Sequence, residues 1–301
     1  PAIFSSDPDD DQLAQDRLRR AAELAGFEEI HFQYEPIAAA FAYEARISQP
    51  ERVLVGDFGG GTSDFTVVQL NPKRQGLVDR ATDILATGGI AVAGNKYDSA
   101  TMWHKLTPLF GRGATYEDFG KQIEVPDTLH RQICQWDQIV FLRNAKKLDL
   151  IWRMAQLSDN PQGFDRLEAL IKKNQGFALF QVIERAKIEL TSQDTGRIQF
   201  SHPDIQIDEL MTLAEFNANT ADLTSQIIGR LDSFMGDAKL DQASIETVFL
   251  TGGTSMIRGL RNEFNSRFGA DRIRDGGEFT SVADGLAMSA PLYFSDLPRE
   301  S

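Results

Sequence analysis

The chain has 301 residues, with 44 acidic against 31 basic side chains and a formal net charge of −13. That balance argues against nucleic acid as the main ligand, because affinity for a phosphate backbone comes from clustered Lys and Arg. No apolar run reaches the roughly 18 residues a membrane-spanning helix needs, and the single cysteine, Cys134, excludes an intrachain disulfide or a cysteine metal cluster and fits a reducing cytoplasm.

In chain order, Pro1 to Phe4 has strand character without an initiator methionine, and reads as a chain opening in mid-domain. The acidic run Asp7 to Asp11 suits a helix N-terminus, where carboxylates meet the positive end of the dipole. Leu13, Leu18, Ala21, Ala22 and Ala25 supply its apolar face and Gly26 its stop. Phe27 to Phe32 predicts a short strand, and Glu35-Pro36 a helix over Ile37 to Glu44, with Pro36 at the first helical position. After the break at Pro50, Val53 to Phe58 predicts a buried strand carrying Asp57 near its end; Gly59-Gly60-Gly61-Thr62 and a second strand, Phe65 to Leu70, follow. A strand over Arg80 to Ala86 is expected to lead into Thr87-Gly88-Gly89, with a helix starting near Gly94.

Tyr97 to Lys187 reads as mostly helical, interrupted at Pro126 and at Asp159 to Gly163, with Trp103, Trp136 and Trp152 expected as core. The four histidines (His31, His104, His130, His202) are too scattered for a metal site and read as structural or surface residues. Strands over Arg197 to Phe200 and Ile205 to Ile207 precede a helix from Leu213 to Met235 and a strand from Ile245 to Leu250. Gly252-Gly253-Thr254 then turn into an amphipathic helix with Ile257, Leu260 and Phe264 on one face, and Ser281 to Tyr293 forms a final helix.

The chemistry concentrates in Asp57 to Asp64. Consecutive glycines bring unobstructed N–H groups toward an anion. A carboxylate before the turn can hold Mg²⁺ through water where the metal meets phosphate oxygens, Thr62 adds a hydroxyl, and Asp64 adds a second carboxylate on the same side. A P-loop or a dinucleotide fingerprint is excluded, because both run into a helix whereas these glycines run into a strand. The bland alternative is a hairpin with an unusual turn. Thr251 to Ser255 offers a second close approach, between a strand and a helix N-terminus; by itself it could be a plain strand–helix turn.

These residues resemble the nucleotide domain of heat-shock chaperones of the DnaK type. Glu35-Pro36-Ile37-Ala38-Ala39-Ala40-Phe41-Ala42-Tyr43 is similar to that family's first connecting segment, Val55 to Asp64 to its second phosphate motif, Val248 to Ile257 to its adenosine motif, and Ser281 to Ala287 to its second connecting segment. Within the family the YegD-type branch of chaperone-like proteins is the nearest resemblance. The resemblance implies an α/β, actin-like ATPase (ribonuclease H-like) fold. Residues 1–48 would be a remnant of a first lobe and 49–275 a second lobe with a helical subdomain over about 94–222, while 276–301 would return to the first lobe.

It implies ATP or ADP with Mg²⁺ as ligands. Asp57 and Asp64 would face the metal, with Glu35 near the attacking water, and Gly59, Gly60, Gly61 and Thr62 would lie at the phosphates. Glu184, Lys187 and Thr191 belong to a segment resembling the helix that reaches ribose and adenine; Gly252, Gly253 and Thr254 would line the nucleoside side. Gly94 matches the glycine of a Gly-Gly segment. Ile188 and Met256 stand where the family stacks arginines on adenine, which removes a cation–π contribution and leaves base preference open. Client proteins and co-chaperones are the implied partners. The family's first phosphate loop and its hydrolysis-assisting lysine precede a segment like Pro1 to Phe4. The resemblance therefore implies that residues 1–301 alone bind ATP poorly and hydrolyse it negligibly, since such sites work by positioning and charge stabilisation from both lobes. A sugar or metabolite kinase of the same fold, and a nucleotide-sensing scaffold that does not hydrolyse ATP, are the competing readings.

Overall fold

The computed structural model describes residues 8–33, 35, 38, 43, 44, 47–74, 77, 80–118, 120–275 and 281–294. The strand expected at residues 1–4, and much of the helix expected over 37–44, lie outside them. The chain divides into two units, one formed by Pro1–Gly94 with Ser225–Ser301 and the other by Asn95–Thr224.

In chain order the elements are α1 (Pro8–Leu24), β1 (Glu51–Phe58), β2 (Ser63–Leu70), β3 (Ile84–Ile90) and α2 (Gly94–Thr101), then the hairpin β4 (Thr115–Asp118) and β5 (Lys121–Glu124). Next come α3 (Asp127–Ile133), α4 (Ala145–Leu157), α5 (Pro161–Lys172), α6 (Gly176–Ser192), β6 (Thr195–His202), β7 (Ile205–Thr212) and α7 (Leu213–Asp237). The chain finishes with β8 (Thr247–Thr251), α8 (Arg258–Phe268), β9 (Ile273–Asp275) and α9 (Ser281–Tyr293).

The first unit is built on a five-stranded sheet in the order β3-β2-β1-β8-β9. The β1–β2–β3 portion is antiparallel and β1–β8–β9 parallel. The central strand β1 is apolar on both faces, as a strand covered from both sides must be. On one face Phe58 packs edge-on against Phe65 and Phe264, at 5.9 and 5.6 Å, and Phe65 stacks on Phe234 at 6.1 Å, so α7 and α8 cover that side. On the other, Val53, Val55, Val68, Leu70 and Phe249 form a core against Tyr43, Ile47 and Ile84. Two-residue alternation therefore puts Asp57 on the Tyr43 face with Val53 and Val55.

The Tyr43 side is anchored by buried polar groups. The Tyr43 hydroxyl reaches Glu51 at 2.7 Å and Thr247 at 3.0 Å. Arg80 grips Glu44 with two bonds of 2.7 and 2.9 Å and also pairs with Asp83, and Asn71 N donates to Glu44 at 3.0 Å. These ion pairs correct the expected strand over Arg80 to Ala86: Arg80 is drawn into a buried turn through Asp83, and β3 starts only at Ile84. Thr87-Gly88-Gly89 consequently lies inside β3, opposite β2, with a bulge at Val67/Val68.

Phe27 to Phe32 is not a strand either. Ile30's carbonyl is taken by Arg19, whose guanidinium also covers Phe32 at 4.9 Å, and Phe27 is 65% exposed. The segment is held to the end of α9 by side chains: His31 packs on Tyr293 and Phe294, and Gln33 bonds Tyr293.

In the second unit β6 and β7 form a hairpin with alternating burial, Ile198, Phe200, Ile205, Ile207 and Met211 facing inward. The helices break where proline and Asn160 predict. Asn160 caps α5 by accepting from Gly163 N at 3.0 Å, with Pro161 at the first helical position. The β4–β5 hairpin inside the region read as helical is a correction; β5 is exposed along its whole length, which leaves no apolar alternation to find. The tryptophans correct the core expectation as well, since Trp136 is 48% and Trp152 is 53% exposed.

Candidate functional site

The four-residue loop Gly59 to Thr62 joins β1 to β2 and is closed by Gly59 N donating to Thr62 O at 3.1 Å. Neither Gly59 nor Gly61 adopts left-handed backbone, and a Cβ at Gly61 would meet nothing within 4 Å. The tight turn is thus made by ordinary backbone; what these glycines contribute is an exposed, side-chain-free surface that an anion can approach.

Below the loop, residues in register form a row across the sheet. Asp57 pairs with Asp64 on β2 and with Thr251 on β8, and Asp64 pairs with Gly89 on β3. The Thr62 hydroxyl donates to Asp64 at 2.8 Å. A Cβ on Gly89 would stand 2.4 Å from Asp64 Oδ1, so the bare backbone of β3 provides the space in which the Asp64 carboxylate lies. Arg230 of α7 donates to the Gly89 carbonyl at 3.0 Å, and a Cβ on Gly88 would strike Phe234. Helix α7 therefore packs directly on this glycine pair, a feature the sequence signalled only as two adjacent glycines.

The second glycine loop meets the first. Thr254 Oγ donates to the Gly59 carbonyl at 2.8 Å, and Gly94 N reaches the same oxygen at 3.2 Å. Gly252 has φ 81° and ψ 151°, and a Cβ there would lie 2.3 Å from Phe58 O. Ser255 returns its hydroxyl to Gly252 O at 2.6 Å, fixing the turn ahead of α8. Three separate glycine motifs, at Gly59, Gly94 and Gly252–Thr254, so converge on one carbonyl oxygen and its neighbouring backbone. Met256 is half-buried at the end of that turn.

The two connecting segments also meet. A Cβ on Gly285 of α9 would lie 1.7 Å from Ala38 O, so the helix pass is possible only with glycine there. Glu35 belongs to the Ala38 segment, and its charge acts on both Asp57 and Asp64.

Burial, reinforced by the charges of Glu35 and then Asp64, pushes the Asp57 carboxyl up to about 6. Asp64 is also raised, chiefly by burial, against the opposing bond from Thr62. An acid raised in the fold adds stability below its unfolded pKa, and that contribution disappears as pH rises through the folded value. Ionised Asp57 therefore works against the apo fold at neutral pH. Asp57→Asn is expected to stabilise the apo protein by about 1–2 kcal/mol at pH 7.5, after allowance for partial exposure, and by nearly nothing near pH 4. Urea unfolding at the two pH values checks this, and a gain independent of pH would contradict it.

In the second unit Glu184 is exposed on α6, and Thr191 donates to Ile188 O at 2.7 Å. Ile188 is 57% exposed. The Lys187 ammonium is held by Asp98 of α2 at 2.8 and 2.9 Å. Asp98, which the sequence reading passed over, is buried; burial raises its pKa and Lys187 opposes the rise.

Among the described residues no three His, Cys, Asp or Glu side chains gather to cage a metal ion. A hydrated Mg²⁺ carried in by phosphate fits these carboxylates, because Glu35 raises the cost of charge on both Asp57 and Asp64, Asp64 raises it on Asp57, and a cation would relieve it.

A mixed sheet, a glycine hairpin pinned by a second glycine loop, and α9 passing the Ala38 carbonyl at a glycine are consistent with an actin-like ATPase fold. The Hsp70 protein family model matches residues 10–113 and 165–297, and the chain belongs to that family. It is 24% identical to the "Chaperone protein DnaK" of Deinococcus deserti over 98% of this chain and 38% of that protein. It is 24% identical to that of Cyanidioschyzon merolae over 90% and 36%, and 23% identical to that of Deinococcus proteolyticus over 98% and 38%. The chain thus spans under two-fifths of the length of these relatives. No helix among the described residues is long and apolar enough to cross a membrane.

Proposed function

We propose that this chain handles the nucleotide of an ATP-dependent chaperone, with Gly59 to Thr62 receiving the phosphates of ATP or ADP. The observation that carries this reading is the Gly59 carbonyl, which accepts from both Gly94 N and the Thr254 hydroxyl and so locks a loop whose residues, Gly59 to Thr62, are all exposed. Magnesium bound with the nucleotide would supply neutralisation of phosphate charge. Asp57 and Asp64 would hold it through its waters, Thr62 keeps Asp64 in place, and Glu35 would be the carboxylate near the attacking water.

Family resemblance alone supports the nucleoside assignments: Glu184, Lys187 and Thr191 in the second unit, and Gly252, Gly253, Thr254 and Met256 in the first. Lys187 would keep its bond to Asp98 while serving that role. Client proteins, co-chaperones and a cytoplasmic setting belong to the same proposal, as does placement in the YegD-type branch.

Isothermal titration of Mg-ATP and Mg-ADP into the full-length protein, followed by a phosphate-release assay, tests the reading. Asp57→Asn is expected to weaken Mg-nucleotide binding about tenfold and to lower phosphate release further. Binding and release unchanged in that variant, or transfer of phosphate to a sugar panel in place of release, would overturn it.

A further inference from the structure

The second unit gathers two arginines on one indole. Arg112, in the turn between Gly111 and Gly113, places its guanidinium carbon 4.2 Å from the Trp103 ring centroid, and Arg131 of α3 places its own at 4.7 Å. Each cation gains from the ring quadrupole, but two like charges on one ring repel each other. Some arginines of the chain are neutralised by close carboxylates: Arg80 holds Glu44 and Asp83, Arg197 holds Asp208, and Arg267 holds Asp232 and Glu263. The two on Trp103 are not held in this way. Among the described residues Arg131 has one loose pair, to Asp127 at 3.9 Å with both groups exposed, while Arg112 has no ion pair and its Nε is buried without a hydrogen-bond partner. In a chain carrying a net charge of −13, this is a local excess of positive charge.

The surroundings report the same field. Burial and then Arg112 lower the pKa of His104, beside Trp103, and Arg112 is among the groups lowering that of buried His130. Burial pushes the Cys134 thiol up to about 12, with Arg112 and Arg131 pulling against the rise.

We propose that Arg112 and Arg131, held on the Trp103 ring, form a binding site for a phosphoryl dianion. Two guanidinium forks match two negative charges and the several acceptor oxygens of a phosphoryl group, whereas a single carboxylate needs only one fork. Stacking on the indole fixes the forks in advance, so less side-chain freedom is lost on binding. The site lies wholly in the second unit and is independent of the nucleotide reading.

The test uses the full chain with Trp136→Phe and Trp152→Phe, both at exposed positions, so that Trp103 is the only remaining indole. Potassium phosphate is titrated at constant ionic strength while indole fluorescence is read, with acetate and O-phosphoserine as further arms. A saturable, low-millimolar response is expected, about tenfold weaker in Arg131→Gln and about tenfold weaker for acetate. Arg131 is 67% exposed along its side chain, so that variant should fold, which an unchanged circular-dichroism melt confirms. O-phosphoserine binding more tightly than free phosphate would assign the site to a phosphoryl group on a larger molecule, and weaker binding would assign it to phosphate itself. No saturable response at tens of millimolar, equal responses in Arg131→Gln, or acetate as effective as phosphate would overturn the proposal.

Discussion

Arg80→Met is expected to destabilise the protein by about 3–5 kcal/mol, the range for breaking a buried ion pair from one side. Arg80 is 2% and Glu44 1% exposed, and the two share a bidentate contact while Arg80 also pairs with Asp83. Methionine fills much of the same volume but leaves the Glu44 carboxylate buried, with Asn71 N at 3.0 Å as its remaining donor among the described residues. Asp83 suffers less, because Arg74 stands 2.7 Å away. Adding Glu44→Leu should recover most of the loss, since removing both charges removes the desolvation penalty that one alone leaves behind. Urea unfolding of the single and double variants measures both numbers. A single variant within about 1 kcal/mol of the parent would mean that the cluster is already well solvated.

Gly252→Ala is expected to cost about 3 kcal/mol or more and to abolish Mg-nucleotide binding together with it. The residue combines φ 81° with ψ 151°, a region that only glycine occupies without strain of about 1–3 kcal/mol. The added methyl would also lie 2.3 Å from Phe58 O and 2.6 Å from Phe58 C. The obstruction is strand backbone, which cannot rotate away as a side chain can, so the loop must retreat from β1. The Thr254–Gly59 bond then breaks, and with it the contact that fixes the Gly59 to Thr62 loop. Thermal unfolding and nucleotide titration of the variant, with Gly61→Ala as a control that has open space at its Cβ, separate this effect from a general intolerance of side chains in glycine loops. Equal losses in the two variants would contradict the backbone-contact explanation.

Much of this was legible from residues close together in the chain. Val53 to Phe58, the loop after it and the strand beyond carry their signals within single elements: a buried apolar run, glycines without side chains, and β-branched residues. The α9 helix, Ser281–Tyr293, matches its expected bounds, and α7 begins at Leu213 as expected. The strand at Phe27 to Phe32 failed for the opposite reason. Its local pattern suits a strand, but Ile30's carbonyl is taken by Arg19 rather than by a ladder. The same holds for Arg80, whose fate was decided by Glu44, 36 positions earlier.

The amino-acid sequence by itself determined that this protein has a glycine hairpin flanked by carboxylates and a second glycine loop before a helix, because both depend on short stretches of backbone. Only the tertiary structure decided that Thr254, Gly94 and Gly59 share one carbonyl, that Gly89 makes room for Asp64, and that Arg112 and Arg131 meet on Trp103. These are contacts between distant parts of the chain. They arise from sheet register and helix packing, which bring together backbone and charge that no local periodicity relates.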